Sequence, residues 1–520
     1  MQKLTLETLE RWLWDSADLL RGHIDSSDFK NYIFGLLFLK RANDQFLEEA
    51  QHAVNDENIT LTEALEDEDY HQFFIAKDAY WSELTKKTEN IGQALDKAFA
   101  LIEEHNSQLE GVMTAVHFGD TEKLPDELLS RLLQHFNKYS LANEHLDNPD
   151  ILGSAYEYLI REFADDGGKK GGEFYTPKEV VRLLVNLIKP QAGNSIYDPT
   201  CGSGGMLIQS ANYIKEHGGS VGNFVDASLY GQEKNLGTWA ICKINMIVHN
   251  FKESDIRKGD TLSSPKHLED GELMSFDRVV ANPPFSLKKW WSPVEIDIKI
   301  DDKTGKEIAP KYNTEVSDEH GRFKYGIPPR GYGDLAFVQH MISVLKHDGR
   351  MGVVLPHGIL FRGGAEGKIR QGLLENDIIE AIVGLPEKLF YNTGIPASII
   401  IINKSKAKNL KDKVIFIDAS SEYKDGKNQN ILTDTNINKI VESYDGLKDI
   451  DKFMRVVEMS EIVENDYNLN ISRYIDTSEP EEIVDIEATL KQIAELENQE
   501  REIDKELNGY LTELGFANEL

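Results

Sequence analysis

Cysteine is scarce in this 520-residue chain, which contains only Cys201 and Cys242. Two cysteines exclude a disulfide-stapled scaffold and a four-cysteine zinc site, and they fit a reducing compartment. Long apolar runs are also missing: the longest, such as Ile33–Leu39 and Ala397–Ile402, are far shorter than the ~20 residues that span a bilayer. Met1–Trp12 alternates charged and apolar residues and has no apolar signal region. We therefore expect a cytoplasmic protein without a membrane segment.

Positive charge is the second shortage. The chain has 57 Lys and Arg residues against 89 Asp and Glu residues, which gives a net charge of −32. Proteins that bind nucleic acid on their own usually carry a basic surface, because neutralising phosphates supplies much of the affinity. The composition therefore predicts one of two situations: the substrate is not a nucleic acid, or a partner supplies the basic surface.

The hydrophobic pattern divides the chain into three parts. Residues 1–145 show helical spacing and predict an all-α N-terminal domain. Residues 146–478 alternate short apolar runs with helical stretches, which predicts an α/β domain with a mostly parallel, doubly wound sheet. Residues 286–330 interrupt this pattern with mixed charge, Gly and Pro, so we expect a functional or mobile insertion. The candidate strands are Ser195–Tyr197, Leu229–Gln232, Arg278–Ala281, Met351–Leu355, Ile378–Val383, Ala397–Ile402 and Val414–Ile417.

Residues 479–520 form an acidic C-terminal segment, with 13 acidic and 3 basic side chains and a net charge of −10. Apolar residues from Ile483 to Leu514 recur at steps of mostly three and four, which predicts a long amphipathic helix or a helical hairpin. Such a tail either folds back on its own domain or docks on the helices of a partner. The pattern alone leaves both interpretations open.

A glycine-rich turn, DPTCGSGG over Asp198–Gly205, follows the first candidate strand. Glycines at this place let the backbone turn tightly and approach a nucleotide-like ligand closely. The third glycine of the dinucleotide pattern GxGxxG is out of register, which argues against a nicotinamide oxidoreductase. Asp198 suits a cationic ligand better than a pyrophosphate, and a sulfonium amino acid with a free ammonium group meets this requirement.

Two further carboxylates follow later strands. Glu233, after Tyr230–Gln232, is positioned to accept both hydroxyls of a ribose, although an ordinary solvated Glu gives the same pattern. Asp260, in Gly259–Leu262, is a candidate acceptor for an adenine amino group. A helix cap or turn aspartate explains Asp260 at least equally well.

The segment Asn282-Pro283-Pro284-Phe285 follows a buried candidate strand and indicates the class of chemistry. Pro284 biases Pro283 away from the helical region, so the chain leaves the strand stiff and extended. The side-chain carbonyl of Asn282 and the main-chain carbonyl of Pro283 can then accept both hydrogens of a planar –NH₂ group. These two acceptors localise the nitrogen lone pair for in-line attack on a methyl group, and Phe285 offers a face for a flat base. A plain Asn-Pro-Pro turn is the structural alternative.

Together these segments resemble the modification (methyltransferase) subunit of type I restriction–modification systems. The resemblance also includes the sequence GEFYTP over Gly172–Pro177, the helical N-terminal part, Gly349–Leu360 and Leu385–Asn392. It implies a Rossmann-like S-adenosylmethionine-dependent domain, with a helical N-terminal domain and a C-terminal helical tail, that methylates N6 of adenine in DNA.

The resemblance further implies residue roles, without any metal ligand. The catalytic residues would be Asn282, Pro283, Pro284 and Phe285. The S-adenosylmethionine-binding residues would be Glu173, Phe174, Tyr175, Thr176, Pro177, Lys178, Asp198, Gly202, Ser203, Gly204, Gly205, Glu233 and Asp260. No short motif fixes the residue that closes the target-base pocket, and Phe390 or Tyr391 is our candidate.

The same resemblance explains the acidic charge, because it assigns DNA sequence recognition to a separate specificity subunit. Two methyltransferase subunits would clamp the duplex together with that subunit, and a restriction subunit is a further partner that the family allows. The target adenine must leave the base stack to reach Asn282, at a cost of roughly a few kcal/mol. We expect the insertion to be mobile without DNA and to order over the flipped base or nearby phosphates. The segment carries the candidate contacts Lys288, Lys289, Trp290, Trp291, Arg322 and Arg330. A surface excursion without DNA contact explains the segment equally well.

Three alternatives use or retain the same motif. A glutamine methyltransferase acting on release factors also holds a planar amide with Asn-Pro-Pro-aromatic, but such chains are shorter and end the motif in Tyr. An N4-cytosine methyltransferase would use the same chemistry with a motif that more often begins with Ser. A catalytically idle assembly subunit would not need Asn282–Phe285 intact. C5-cytosine chemistry is rejected, because Cys201 lies in the glycine-rich turn and Cys242 on an apolar helical face.

Overall fold

The computed structural model describes residues 3–24, 28–147, 151–166, 176–221, 224–292, 294–297, 311–313, 316, 318–390, 394–426, 429–477 and 486–516. These residues separate into two compact units, Met1–Ile475 and Asp476–Leu520. No helix among them is both long enough and apolar enough to cross a membrane.

The elements alternate as the hydrophobic pattern predicts. The helices are α1 Leu6–Leu20, α2 Phe29–Glu57, α3 Leu61–Glu66, α4 Trp81–Leu84, α5 Ile91–His105, α6 Asp126–Phe136, α7 Ile151–Asp166, α8 Lys178–Ile188, α9 Gly205–Glu216, α10 Leu236–Val248, α11 Asp334–Ser343, α12 Gly364–Glu375, α13 Asp434–Gly446, α14 Met459–Glu464 and α15 Ile486–Glu513. The strands are β1 Asn194–Asp198, β2 Ser220–Val221, β3 Phe224–Val225, β4 Ala227–Glu233, β5 Asp255–Lys258, β6 Leu268–Glu269, β7 Glu272–Leu273, β8 Phe276–Ala281, β9 Val294–Asp297, β10 Lys311–Asn313, β11 Leu345–Pro356, β12 Ile379–Gly384, β13 Ala397–Asn403, β14 Lys413–Asp418 and β15 Met454–Glu458.

The N-terminal region is helical, as predicted, and its helices are joined by side chains as well as by apolar packing. The indole N–H of Trp12 in α1 donates to the His135 carbonyl in α6 at 3.1 Å, and the His135 ring contacts the Trp12 carbonyl at 2.7 Å. Phe34 of α2 stacks on Tyr156 of α7 with ring centroids 3.9 Å apart. Tyr156 in turn donates its hydroxyl to the Ile241 carbonyl of α10 at 3.2 Å. One continuous hydrophobic core therefore extends from the N-terminal helices into the sheet region, and the division at residue 145 stays a prediction.

The central sheet has nine strands in the order β15-β14-β12-β13-β11-β8-β1-β4-β5. All seven predicted strands lie in it, and five of its eight neighbouring pairs are parallel. The antiparallel pairs involve β13, which lies between β11 and β12, and the edge strand β15. A mostly parallel sheet covered by helices is thus confirmed.

The position of β1 in this order creates the crevice that matters for function. β1 pairs with β4 on one side and with β8 on the other, all in parallel. Connections therefore leave β1 and β8 toward opposite halves of the sheet, and a ligand-binding crevice is expected outside the carboxyl ends at such a point. Asp198, Glu233 and Asn282 all lie at these carboxyl ends.

The C-terminal unit contains one long helix over its described residues, α15, rather than a hairpin. Its apolar side chains are exposed: Leu490 by 59%, Leu496 by 63%, Ile503 by 64% and Leu514 by 72%. The predicted amphipathic helix is therefore present, with its apolar side chains exposed to solvent.

Candidate active site

The glycine-rich turn after β1 is held from behind by main-chain and side-chain hydrogen bonds. The Cys201 N–H donates to the Gln232 carbonyl of β4 at 3.0 Å, and the buried Asn245 side chain of α10 donates to the Ser203 carbonyl at 2.8 Å. Asn245 was not found from the sequence, because its contact joins positions 42 residues apart. These bonds fix the turn before any ligand arrives.

The glycines of this turn serve different purposes. Gly204 has φ of +86°, and a Cβ added there would lie 3.0 Å from Cys242 Sγ and 3.2 Å from Met246 Sδ. Packing behind the turn therefore requires Gly204. A Cβ on Gly205 would have no neighbour within 4 Å, so the open side of the turn lies at Gly205, where helix α9 begins.

Asp198 is buried at the end of β1 with 2% exposure. Its carboxylate accepts a hydrogen bond from the Thr200 N–H at 2.9 Å, and among the described residues it forms no salt bridge. Burial, with a smaller contribution from the charge of Glu233, raises the pKa of Asp198 to about 8. A bound cation would compensate this cost, so the carboxylate fits the ammonium group of S-adenosylmethionine.

Glu233 joins the end of β4 to the glycine-rich turn. One carboxylate oxygen accepts from the Gly202 N–H at 3.1 Å, and the other accepts from the Asn235 N–H at 2.7 Å. Burial raises the pKa of Glu233, which these hydrogen bonds partly oppose. Each oxygen keeps further acceptor capacity, so the oriented carboxylate is suited to two ribose hydroxyls.

Asp260 closes a turn after β5. One carboxylate oxygen accepts from the N–H groups of Leu262 at 3.0 Å and Ser263 at 3.2 Å, and the other pairs with Lys234 at 2.7 Å. The turn role, which the sequence left open, is therefore present in the structure. The role of Asp260 toward an adenine stays a prediction.

Asn282 follows β8 and is 8% exposed. Its Nδ2 donates to Thr176 Oγ1 at 2.9 Å, whereas its Oδ1 is buried and has no hydrogen-bond partner among the described residues. Leaving a buried amide oxygen unpaired costs about 1–3 kcal/mol. A buried acceptor therefore lies directly after β8, and a ligand with an N–H group would satisfy it.

Phe285 is half-buried and packs edge to face against Phe390, with ring centroids 5.6 Å apart. Phe390 is 2% exposed, so it braces Phe285 and offers little surface to a base. The prediction that Phe390 closes the base pocket stays untested, and Tyr391 lies outside the described residues.

Asp334, at the start of α11, holds the chain directly after the tetrapeptide. This fully buried carboxylate accepts from the Ser286 N–H at 2.8 Å. Ser286 has φ of +52°, a conformation that costs a non-glycine residue free energy and therefore needs such support. No local sequence pattern marks this role of Asp334, because its partner lies 48 positions away.

The predicted cofactor segment is described only in part. Thr176 contacts Asn282, Pro177 precedes α8, and Lys178 is the first residue of α8. Glu173, Phe174 and Tyr175 lie outside the described residues.

Comparison with known proteins identifies the family. A family profile described as N-6 DNA Methylase matches residues 147–483. The chain belongs to the N-6 DNA methylase family. A second profile, the HsdM N-terminal domain, matches residues 9–136.

Relatives and solved structures agree with this assignment over nearly the whole methylase. The type I restriction enzyme MjaVII methylase subunit of Methanocaldococcus jannaschii is 35% identical, over 98% of this chain and 85% of the relative. The MpnII methylase subunit of Mycoplasma pneumoniae is 29% identical, over 97% of this chain and 96% of the relative. A crystal structure of the type I restriction-modification methyltransferase subunit from Streptococcus thermophilus superposes with a TM-score of 0.75 at 33% identity, covering 91% of this chain and all of that one.

The methylase is therefore the methyltransferase subunit of a type I restriction–modification system. It transfers a methyl group from S-adenosylmethionine to N6 of adenine in DNA. This activity is the predicted one and sets aside the glutamine and N4-cytosine alternatives, whereas the catalytic roles of Asn282–Phe285 stay a prediction.

The insertion of the methylase differs in part from the expectation. Trp290 is 5% exposed and donates its indole N–H to the Pro329 carbonyl at 3.0 Å. Arg322 is 3% exposed and donates to the carbonyls of Thr261 at 3.0 Å and Leu262 at 2.6 Å. Trp290 and Arg322 therefore anchor the insertion internally and present little exposed surface, whereas the ordering of the insertion over DNA stays a prediction. Lys288, Lys289 and Arg330 are exposed.

Proposed function

We propose that Asn282 and Pro283 hold the target adenine of this methylase by its exocyclic amine. The observation that carries the proposal is the buried, unpartnered Oδ1 of Asn282 at the carboxyl end of β8. An adenine N6 group has two hydrogens to donate and would satisfy this oxygen. The Pro283 carbonyl, stiffened by Pro284, is the second acceptor.

S-adenosylmethionine, when bound, supplies an electrophilic methyl group on a sulfonium centre. On the protein side, Asp198 would hold the amino-acid ammonium and Glu233 the ribose hydroxyls. Gly202, Ser203 and Gly205 would line the open side of the turn, where Gly205 leaves free space. The orientation of Glu233 by two main-chain N–H groups supports this division of roles.

The two acceptors would change the geometry of the amine. When Asn282 Oδ1 and the Pro283 carbonyl each accept one N6 hydrogen, the lone pair turns out of the ring plane toward the methyl donor. The amine exchanges one hydrogen for the methyl group, so one proton is released in each turnover. Asn282 is a neutral amide and does not take up that proton, which therefore passes to water. Phe285, braced by Phe390, would stack on the flipped base.

A basic platform next to the motif would bind the DNA strand. We define it as Lys288, Lys289, Trp291, Arg330 and Tyr332. Apart from buried Arg322, residues 286–292 and 318–333 contain four Lys or Arg and two Asp or Glu, a net of +2 in a chain of −32. Main-chain bonds join the platform, since the Lys289 N–H donates to the Arg330 carbonyl at 2.8 Å.

Aromatic rings alternate with the cations on this platform. The Arg330 guanidinium lies 5.3 Å from the ring centroid of Trp291. The Arg362 guanidinium lies 4.3 Å from the ring centroid of Tyr332. Cations paired with rings suit phosphates and unstacked bases. The first platform residue, Lys288, follows Phe285 by three positions, which would bring these contacts beside the flipped adenine.

DNA sequence recognition would reside in a separate specificity subunit, with two methylase chains for each such subunit. The exposed apolar side chains of α15 support docking on a partner, since contiguous exposed apolar surface usually marks an interface. A restriction subunit would join the same assembly to form the complete restriction enzyme.

Replacing Asn282 tests the catalytic proposal. Asn282→Ala removes the acceptor of the amine, so methyl transfer should fall at least about 1,000-fold. Cofactor affinity should stay within about twofold, since the proposal assigns Asn282 no contact with S-adenosylmethionine. The assay is transfer of tritiated methyl groups to unmethylated DNA by the chain co-expressed with its specificity protein, followed by nucleoside analysis.

The matched control is Asn403→Ala, which changes an asparagine at the carboxyl end of β13, where it donates to Glu380 at 2.7 Å. Near-normal turnover by Asn282→Ala would overturn the catalytic assignment. Equal losses in both variants would indicate damage to the fold instead.

A further inference from the structure

Thr176 and Asn282 are 106 positions apart in sequence and in direct contact in the fold. Thr176 Oγ1 accepts the hydrogen bond from Asn282 Nδ2 at 2.9 Å. Thr176 is half-buried, and buried Pro177 and helix α8 follow it directly. The resemblance assigned Thr176 to the cofactor, but this contact points toward the amine-binding group.

The two ends of the Asn282 amide therefore differ in their surroundings. Nδ2 has a partner, whereas Oδ1 is buried without one. A side-chain amide turns about its terminal torsion over a broad range unless a hydrogen bond restrains it. Within the described residues, the Thr176 hydroxyl is the one hydrogen-bond partner of this amide, so the plane of the amide depends on Thr176.

Orientation matters because the reaction needs an acceptor. If the amide turned over, Nδ2 would face the adenine amine, and two donors would oppose each other in a buried crevice. A donor facing a donor loses the hydrogen bond and leaves both groups unsatisfied. The methylase thus needs the oxygen of Asn282 on the crevice side throughout each turnover.

We infer that Thr176 is a positioning residue, which holds the Asn282 amide by its nitrogen and so keeps Oδ1 directed at the adenine amine. This inference rests on the proposed catalytic role of Asn282. Pro177 restricts the backbone of Thr176, and α8 packs against β11 in the sheet. The hydroxyl is therefore carried by a rigid part of the fold.

The test compares Thr176→Val with Thr176→Ser in the chain co-expressed with its specificity protein. Valine is close to threonine in size but has no hydroxyl, so kcat at saturating S-adenosylmethionine should fall roughly 10- to 100-fold. Serine retains the hydroxyl and should restore kcat to within about threefold. The dissociation constant for S-adenosylmethionine, measured by calorimetry on the same samples, should change by less than about threefold in both variants.

Other outcomes separate this inference from its alternatives. Unchanged kcat in Thr176→Val, while Asn282→Ala is inactive, would overturn the positioning role and leave the proposed catalytic function intact. Weaker cofactor binding with normal kcat at saturation would assign Thr176 to the cofactor instead and overturn the inference. If Asn282→Ala itself retains activity, the proposed function fails and the inference fails with it. Should Thr176→Val not fold, Thr176→Ala replaces it, with the melting temperature of each variant as the control for folding.

Discussion

The crevice at the carboxyl ends of the parallel strands and the helix α15 differ in which groups lie in an unfavourable environment. In the crevice, two polar groups are buried: within the part of the chain that the structure describes, Asp198 forms no ion pair and Asn282 Oδ1 accepts no hydrogen bond. On α15, apolar groups such as Leu496 and Ile503 are exposed. Burial is unfavourable for the polar groups, and exposure to water is unfavourable for the apolar ones. Each group therefore indicates what kind of ligand or partner would lower its free energy.

The comparison also separates two kinds of specificity. The crevice is preformed, because Glu233, Asn245 and Asp334 are all held by hydrogen bonds before any ligand binds. A preformed site selects a small molecule by geometry and loses little freedom on binding. An exposed helix selects a partner by its pattern of apolar side chains and depends on the surface that the partner offers. Under the proposed function, chemistry and assembly would therefore reside in different units of the chain.

Removal of the C-terminal unit is the change with the largest expected effect, because it should separate assembly from cofactor binding. Deletion of residues 479–520 should leave cofactor binding by the isolated chain unchanged, because the crevice lies in the other unit. Co-purification with the specificity protein should be lost, and DNA methylation should disappear with it. Pull-down and tritiated-methyl transfer measure the two effects.

Two results would contradict this separation of roles. Assembly and methylation at the full-length rate would show that α15 is dispensable for docking. Loss of cofactor binding after the deletion would show that the tail supports its own catalytic unit. The matched control retains the helix and replaces Leu496, Ile503 and Leu507 with Gln, which removes apolar surface without shortening the chain.

Two neighbouring glycines of the turn, Gly204 and Gly205, distinguish an effect on stability from an effect on cofactor binding. Gly205→Val places a branched side chain on the open side of the turn and should weaken S-adenosylmethionine binding at least about tenfold. Gly204→Val would collide with Cys242 and Met246, so its main effect should be on stability, with a lower melting temperature. Glu233→Ala should weaken cofactor binding about 10- to 100-fold by removing charged acceptors.

Calorimetry and thermal unfolding on the same preparations distinguish these effects. The assignment of the open side fails if Gly205→Val binds S-adenosylmethionine normally. It also fails if Gly204→Val retains full stability and loses only affinity.

The sequence predicted the parts of the site that lie in short segments. Asn282–Phe285 could be interpreted because its chemistry is contained in four consecutive residues that follow a strand. The seven predicted strands are present because each is a short buried run. The antiparallel direction of β13 could not be predicted, since the apolar run Ala397–Ile402 is equally suited to either direction.

Contacts between distant positions account for what the sequence did not predict. Asn245, Asp334 and Thr176 reach their partners across 42 to 106 positions, and no local pattern marks them. Arg322 was assigned to DNA because of its charge, yet it is buried against carbonyls of the loop after β5. Charge in a sequence does not distinguish a surface cation from one that anchors a loop.

Charge reversal on the basic platform should give an intermediate effect. Lys288→Glu with Lys289→Glu should lower DNA affinity of the assembled complex about tenfold at physiological salt, and should reduce the dependence of affinity on salt. Cofactor binding should not change. The matched control is Lys408→Glu with Lys411→Glu. Both lysines are exposed and lie before the amino end of β14, whereas the crevice lies at the carboxyl ends of the parallel strands. Equal losses from both pairs would indicate a general charge effect, and no loss from the first pair would remove DNA contact from the platform.

The most gradual expected effect, spread over several pH units, is the pH dependence that comes from Asp198. Its pKa is raised from an ordinary 3.8 to about 8, so between these values the folded chain binds more protons at this site than the unfolded chain. Stability from this group therefore falls as pH rises through that window, by at most about 1.4 kcal/mol per pH unit.

Asp198→Asn removes the titration, and its unfolding free energy relative to wild type should increase between pH 5 and about 8. Glu233, whose pKa is also raised, is present in both proteins and interacts with Asp198, so the difference in stability reports Asp198 together with its coupling to Glu233. Binding of a cationic cofactor favours the ionised carboxylate of Asp198, so the wild-type affinity for the cofactor should rise with pH in the same window. The rise should be less than tenfold per pH unit. The protons released on binding can be measured by calorimetry in buffers of different ionisation enthalpy. A flat difference in stability together with a pH-independent affinity would show that Asp198 is not the cation-binding group of the crevice.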